Sequence, residues 1–172
     1  MNDISSAFHQ AATLLFNLDS DLLEIVGLSL RVSCLALICS LVIALPLGGA
    51  LALYRFPGRD LLITVFNALL GLPPVVVGLC VYLMLSRSGP LGVLELLFTP
   101  SAMIIAQFIL ITPIVTALTI QTVDDLWTEY GEQLKSLGAS KLRSIQTLLW
   151  EGRFPLLTAV LAGFGRAIAE VG

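Results

Sequence analysis

Three long runs without a charged residue dominate this sequence. They cover residues 32–54, 61–86 and 96–123. A helix needs about 20 mostly apolar residues to cross the hydrocarbon core of a bilayer, because each residue advances the axis by about 1.5 Å. Every one of the three runs exceeds that length, so each is predicted to form a complete transmembrane helix. The fold class that follows is an all-α, polytopic integral membrane protein.

The composition agrees with a membrane protein. Hydrophobic residues make up 57% of the chain and charged residues 12%, whereas soluble domains carry about 25% charged residues. The net charge of −3 gives no basic field for nucleic acid. A fourth apolar run begins at Phe154. Residues 1–172 are therefore interpreted as one transmembrane domain that contains the start of a fourth span and is incomplete at its C-terminus.

The N-terminal residues predict a helix of another kind. Apolar side chains recur at helical spacing over residues 4–18, and no Lys or Arg lies in this part of the chain or before it. This pattern predicts a short amphipathic helix at the membrane interface rather than a cleavable signal peptide, which needs a basic first region.

Basic residues are distributed unevenly between the two sides of the predicted spans. One side carries six of them, namely Arg55, Arg59, Lys135, Lys141, Arg143 and Arg153. The loop between the second and third runs carries only Arg87. Because basic loops remain in the cytoplasm, the N-terminus is predicted to lie outside and residues 124–153 inside.

Residues 124–153, called the polar segment below, interrupt the apolar pattern. Charged side chains are far denser there than in the rest of the sequence. Asp124 is predicted to cap a helix that ends at Gly138, and Ser140 to cap a second helix that returns to the membrane near Phe154. Such a helix–glycine–helix arrangement fits two roles equally well: docking of a soluble partner, or a plain connector with a solvated face.

No catalytic or nucleotide-binding motif is found. In particular, the G-x-x-x-x-G-K-[ST] motif is missing, so another chain would have to bind any ATP that drives this protein. We expect no cofactor, no metal and no enzymatic activity. The cysteines all fall within predicted spans and are interpreted as buried, unreactive thiols: Cys34, Cys39 and Cys80.

The polar segment resembles the EAA loop of ABC importer permeases. Glu132 and Gly138 match that motif at its spacing, although Gln133 and Leu134 replace its two alanines. By this resemblance the residues that couple to an ATPase are Glu132, Leu137, Gly138, Ala139 and Ser140.

Three other stretches are similar to molybdate- and tungstate-type permeases. They are residues 72–78, 87–92 and 165–172, and the form Glu170-Val171-Gly172 resembles the tungstate branch more than the molybdate branch. The resemblance implies a type I ABC importer permease fold in a bacterial or archaeal plasma membrane. It also implies a separate cytoplasmic ATPase, an external oxyanion-binding protein and a second copy of the chain as partners, besides membrane lipid.

The function implied is that of a permease subunit of an ATP-driven oxyanion importer, with tungstate preferred. One alternative is a permease subunit of the same type of importer for molybdate, sulfate or phosphate. The other is a non-transporting membrane anchor that recruits a cytoplasmic partner.

Polar and helix-breaking residues inside the spans are candidates for the translocation path. They are Pro73, Pro74, Gln107, Thr112, Arg166 and Glu170. The proline pair is predicted to break the second helix, because it removes two donors, and the freed carbonyls must then be buried in protein or line a polar path. A purely structural kink remains the alternative. Arg166 and Glu170 lie four positions apart on one helical face.

A stripe of small residues predicts close helix packing in the fourth run. Ala159, Gly163 and Ala167 recur at intervals of four. The sequence leaves open whether the stripe packs within the subunit or at the seam between two copies.

Cysteine labelling from outside the cell tests the predicted orientation. A cysteine probe introduced at Ser88 is expected to react with an impermeant reagent, and one at Ser140 is expected to be protected. The reverse pattern would contradict the orientation and, with it, a cytoplasmic docking role for the polar segment.

Overall fold

A computed structural model describes residues 20–170, and within this range the regular elements are helices. We number the α-helices α1 (Ser20–Leu53), α2 (Arg59–Leu69), α3 (Pro74–Leu85), α4 (Pro100–Ser136), α5 (Lys141–Glu151) and α6 (Arg153–Ala169), and a short 3₁₀ helix covers Gly92–Leu94. The predicted all-α membrane class is confirmed. The N-terminal interfacial helix predicted over residues 4–18 lies outside the described residues.

Within residues 20–170, two helices are long and apolar enough to cross a membrane unaided. They cover Leu22–Leu53 and Pro100–Ser136. The 37 residues of α4 extend over about 55 Å, well beyond the hydrocarbon core of about 30 Å. One end of α4 must therefore project from the bilayer.

The second apolar run is not one straight helix, as its length alone suggested. It forms α2 and α3, whose axes are bent by 105° at the break between them. Before the break, Leu70, Gly71 and Leu72 donate to carbonyls three positions back. Pro73 has an extended ψ of 133°, and Pro74 begins α3. The predicted Pro73–Pro74 break is confirmed, and the run contributes a broken span or a re-entrant pair.

The polar segment begins differently from the prediction. Asp124 starts no new helix, because α4 continues without interruption from Pro100 to Ser136. The reason is packing. Val123 and partly buried apolar residues beyond it cover the end of α1 and one face of α5. Because these residues are buried only if α4 remains helical, the helix continues past Asp124, which would otherwise be a good N-cap.

Three helices form the central bundle. Ala36 and Ala44 of α1, Ile111 and Val115 of α4, and Ala167 of α6 are buried together. The bundle is the frame against which α3 packs, through a separate cluster that includes Val77, Val81 and Leu110.

The small-residue stripe of α6 packs within the subunit. Ala159, Gly163 and Ala167 are all buried. A Cβ placed on Gly163 would lie 2.9 Å from Cγ2 of Ile111 and 3.2 Å from Cγ2 of Val115. The absence of a side chain at Gly163 therefore brings α6 close to α4, which answers the question that the sequence left open.

The cysteines were wrongly predicted to be buried. Cys34, Cys39 and Cys80 lie in α1 and α3 as expected, but all three are exposed on the surface of the chain. Helices that are apolar on every side carry no sequence signal that separates a surface facing lipid from one facing protein.

Candidate functional site

The break between α2 and α3 contacts the end of α6. Nη2 of Arg166 donates a hydrogen bond of 3.4 Å to the carbonyl oxygen of Leu72, which lies 94 positions earlier. Leu72 directly precedes the two prolines, where the helical hydrogen-bond pattern is interrupted. Arg166 thus supplies a donor to a carbonyl that the break has freed.

The same guanidinium also faces a carboxylate. Nε of Arg166 lies 3.6 Å from Oε1 of Glu170, and about a third of each side chain is exposed. That separation makes an ion pair but exceeds the length of a good hydrogen bond, and Nε has no hydrogen-bond partner among residues 20–170. Arg166 is therefore held between Leu72 and Glu170 with part of its donor capacity unused.

Gln107 is a buried polar side chain of α4 that contacts the same end of α6. It is 5% exposed, and its Nε2 donates to the carbonyl oxygen of Ala167 at 3.2 Å. Because that carbonyl only accepts, the orientation of the amide is fixed. Its Oε1 has no partner within the described part of the chain, although a buried, unpaired acceptor costs about 1–3 kcal/mol.

A half-open cleft of about 270 Å³ lies between α3, α4 and the end of α6. Its lining is mostly apolar but includes Pro74, Gln107 and Glu170. Five of the six predicted path residues are therefore gathered at one place, since Pro73 adjoins Pro74 and Arg166 pairs with Glu170.

Thr112 is the exception. Its hydroxyl donates to the carbonyl oxygen of Phe108 at 2.6 Å and lies 3.1 Å from Oγ of Ser40 on α1. It therefore packs in the α1–α4 contact, away from the cleft, and satisfies its own helix backbone.

A glycine turn joins α4 to α5 and matches the prediction for Gly138. Gly138 has a φ of +71°, a conformation that glycine adopts at little cost. Its N–H donates to the carbonyl oxygen of Lys135, and that of Ala139 donates to Leu134, both at 3.0 Å. These two bonds form a Schellman motif, which satisfies the final carbonyls of α4.

The second helix begins as predicted. The Ser140 side chain accepts a hydrogen bond of 3.4 Å from the N–H of Arg143 at the start of α5. On either side of the turn, Leu137 is 81% exposed and Leu142 62% exposed. Glu132 is also exposed and makes no ion pair within residues 20–170. The turn therefore presents apolar and charged groups that remain available to a partner.

Sequence reasoning missed Arg59. It was counted only as one of six basic residues, yet it is 8% exposed, and Nε donates to the carbonyl oxygen of Leu51 at 2.6 Å. A signal was present, because a basic residue shortly after a helix end is well placed to bond the last carbonyls. Another of its partners, Asp124, lies far along the chain on α4 and carries no such local signal.

Residues 44–171 match the family model described as binding-protein-dependent transport system inner membrane component. A probable anion ABC transporter permease protein from Haloferax volcanii is 39% identical over 88% of this chain and 65% of its own length. Two tungstate uptake system permease proteins are also similar. The one from Peptoclostridium acidaminophilum is 38% identical over 100% of this chain and 75% of its own. The one from Campylobacter jejuni is 36% identical over 98% and 71%.

Proposed function

The chain belongs to the family of binding-protein-dependent transport system inner membrane components, and from this premise we propose that it is the permease subunit of an ATP-driven tungstate importer. The two tungstate permeases, similar over nearly the whole chain, support the cargo. One structural observation supports the mechanism best. The long helix α4 runs from the membrane bundle to an exposed turn without a break.

The polar segment is the proposed contact with the ATPase. Leu137 and Leu142 offer apolar groups for burial in a groove, and Glu132 offers a charge for a basic group on the partner. The Schellman motif fixes the angle between α4 and α5, so that displacement of the turn moves both helices. The ATPase is a separate chain in this proposal, and the permease itself catalyses no reaction.

The cleft at the α2–α3 break is the proposed edge of the translocation path. A path through a bilayer needs polar groups, and the cleft gathers Gln107, Glu170 and the neighbouring Arg166 where a helix is interrupted. The Arg166 side chain is about a third exposed and offers an anion a positive charge. Because Glu170 partly neutralises this guanidinium, it binds an anion weakly, which suits a path from which the cargo must also leave.

The remaining partners belong to the same proposal. An external binding protein delivers the oxyanion, and a second copy of the chain completes the path. The N-terminus lies outside and the polar segment in the cytoplasm, in agreement with the basic residues of the polar segment and of the α1–α2 loop. The protein is resident in the plasma membrane.

Uptake by the reconstituted complex tests the proposed function. Proteoliposomes that contain the permease, its ATPase and its binding protein are expected to accumulate tungstate from low external concentration only when ATP is present on the ATPase side. Sulfate, a smaller oxyanion, is expected to be excluded. Uptake of sulfate with tungstate inert would contradict the cargo, and ATP hydrolysis without uptake of any oxyanion would contradict the importer.

Substitution of Gly138 tests the coupling turn. Gly138→Val is expected to lower tungstate uptake about tenfold, because a left-handed conformation costs a residue with a side chain roughly 1–2 kcal/mol. Gly138→Asn is expected to retain most of the uptake, since asparagine tolerates this conformation. No atom lies within 4 Å of a Cβ built at this position, so the contrast between the two variants isolates backbone conformation from a clash within the chain. Equal uptake by the two variants would contradict the assignment.

Substitution of Arg166 tests the path. Arg166→Gln is expected to lower the maximal rate of tungstate uptake by about tenfold, since hydrogen bonds from a charged group contribute about 1.5–3 kcal/mol each. ATPase association is expected to be unchanged. The matched control is Arg87→Gln, which removes the same charge from an exposed position after α3. If both variants transport at the wild-type rate, Arg166 has no role in the path.

A further inference from the structure

Arg59 stands where three helices meet. It is the first residue of α2, it contacts the last turn of α1, and it faces Asp124, where α4 continues into the polar segment. Building on the proposed function, we propose that Arg59 is the positioning residue that holds these three helices together, so that movement of the α4–α5 turn reaches α2 and the helix break.

Its contacts with α1 satisfy carbonyls that a helix end leaves without partners. Nε donates to the carbonyl oxygen of Leu51 at 2.6 Å, and Nη2 donates to that of Ala52 at 3.3 Å. The planar guanidinium of arginine can donate to two adjacent carbonyls in a fixed geometry, whereas the ammonium group of lysine is a single point charge. The positive charge also lies at the negative end of the helix dipole.

Its contacts with carboxylates complete the group. Nη1 is 3.1 Å from Oδ1 of Asp60, and Nη2 is 3.8 Å from Oδ1 of Asp124 on α4. The Asp60 side chain is 92% exposed and contributes little. Asp124 is half exposed, and its contact is the one that joins α4 to the group. The Arg59 side chain is only 10% exposed, so water does not compensate for the loss of its partners.

The end of α1 is packed closely enough to move with α4 and α5. A Cβ on Gly48 would lie 2.7 Å from Cβ of Thr119 on α4, and a Cβ on Gly49 would lie 2.7 Å from Cγ2 of Ile145 on α5. Nζ of Lys141 lies 5.1 Å from the ring centre of Tyr54. These contacts make the end of α1, the second half of α4 and the helix α5 one body.

The connection to the break runs through α2. Gly58 turns the chain with a φ of +89°, Arg59 begins α2 directly after it, and α2 ends at Leu69, just before the break at Leu70–Pro73. When α4 moves, it therefore displaces Arg59, the first residue of α2. Because α2 is a short, rigid helix, the displacement reaches its other end, where the break begins. A residue that only stabilised the fold would not transmit this displacement, and its loss would not change the amount of tungstate imported for each ATP hydrolysed.

The ratio of tungstate imported to ATP hydrolysed by the full complex distinguishes these two roles. Arg59→Ala is expected to leave ATPase association intact and to lower this ratio about tenfold, within the range found for residues along a coupling network. Arg59→Lys is expected to recover part of the loss, and Asp124→Asn to reproduce part of it. The controls are Arg55→Ala, which removes an exposed arginine from the loop just before α2, and Asp125→Asn, which alters the carboxylate next to Asp124. Both are expected to keep the wild-type ratio.

A distance measurement covers the case in which Arg59→Ala fails to assemble. Spin labels are placed at Arg55 and Thr147, an exposed residue of α5, and in a second protein at Leu79 and Thr147, after replacement of the three exposed cysteines. The first distance is expected to stay constant when ATP binds to the otherwise wild-type complex, while the second changes. Equal changes in both distances would overturn the proposal, as would a wild-type coupling ratio in an assembled Arg59→Ala complex. A wild-type complex that imports no tungstate would instead contradict the proposed function.

Discussion

Backbone carbonyls that have no access to water are the constraint on which this structure depends. In a bilayer, a helix interior satisfies its own hydrogen bonds, but a helix end or a break does not. This chain has a buried helix end at Leu53 and a break before Pro74, and each is contacted by an arginine. Arg59 donates to carbonyls in the last turn of α1, and Arg166 donates to the carbonyl of Leu72. Both arginines therefore supply hydrogen bonds to backbone carbonyls and at the same time connect helices.

Close approach of helices is the second requirement, and it is met by small residues. Gly48 and Gly49 bring α1 against α4 and α5, and Gly163 brings α6 against α4. Lipid tails are as apolar as leucine, so burial of apolar area does not drive these contacts; dispersion between surfaces that fit closely does. A side chain at any of these three glycines would separate helices that the proposed mechanism requires to move together.

Local features could be predicted from the sequence, and long-range ones could not. The Pro73–Pro74 break, the turn at Gly138 and the cap at Ser140 each depend on a few neighbouring residues, and all three were predicted correctly. Asp124 has the chemistry of an N-cap, but apolar packing that continues past it outweighs local preference. The contacts of Arg59 with Asp124 and of Arg166 with Leu72 join distant parts of the chain, and a single sequence gives no signal for such pairs.

The long separation between Leu72 and Arg166 has a consequence for the way the protein is made. A chain enters the membrane from its N-terminus during synthesis, so the carbonyl of Leu72 is inserted well before the ribosome reaches Arg166. Until α6 arrives, that carbonyl must remain hydrated or be held by another protein. The region of the break is thus among the last parts of the described chain to acquire its native contacts, and a newly made protein has no complete cleft until its last described helix is in place.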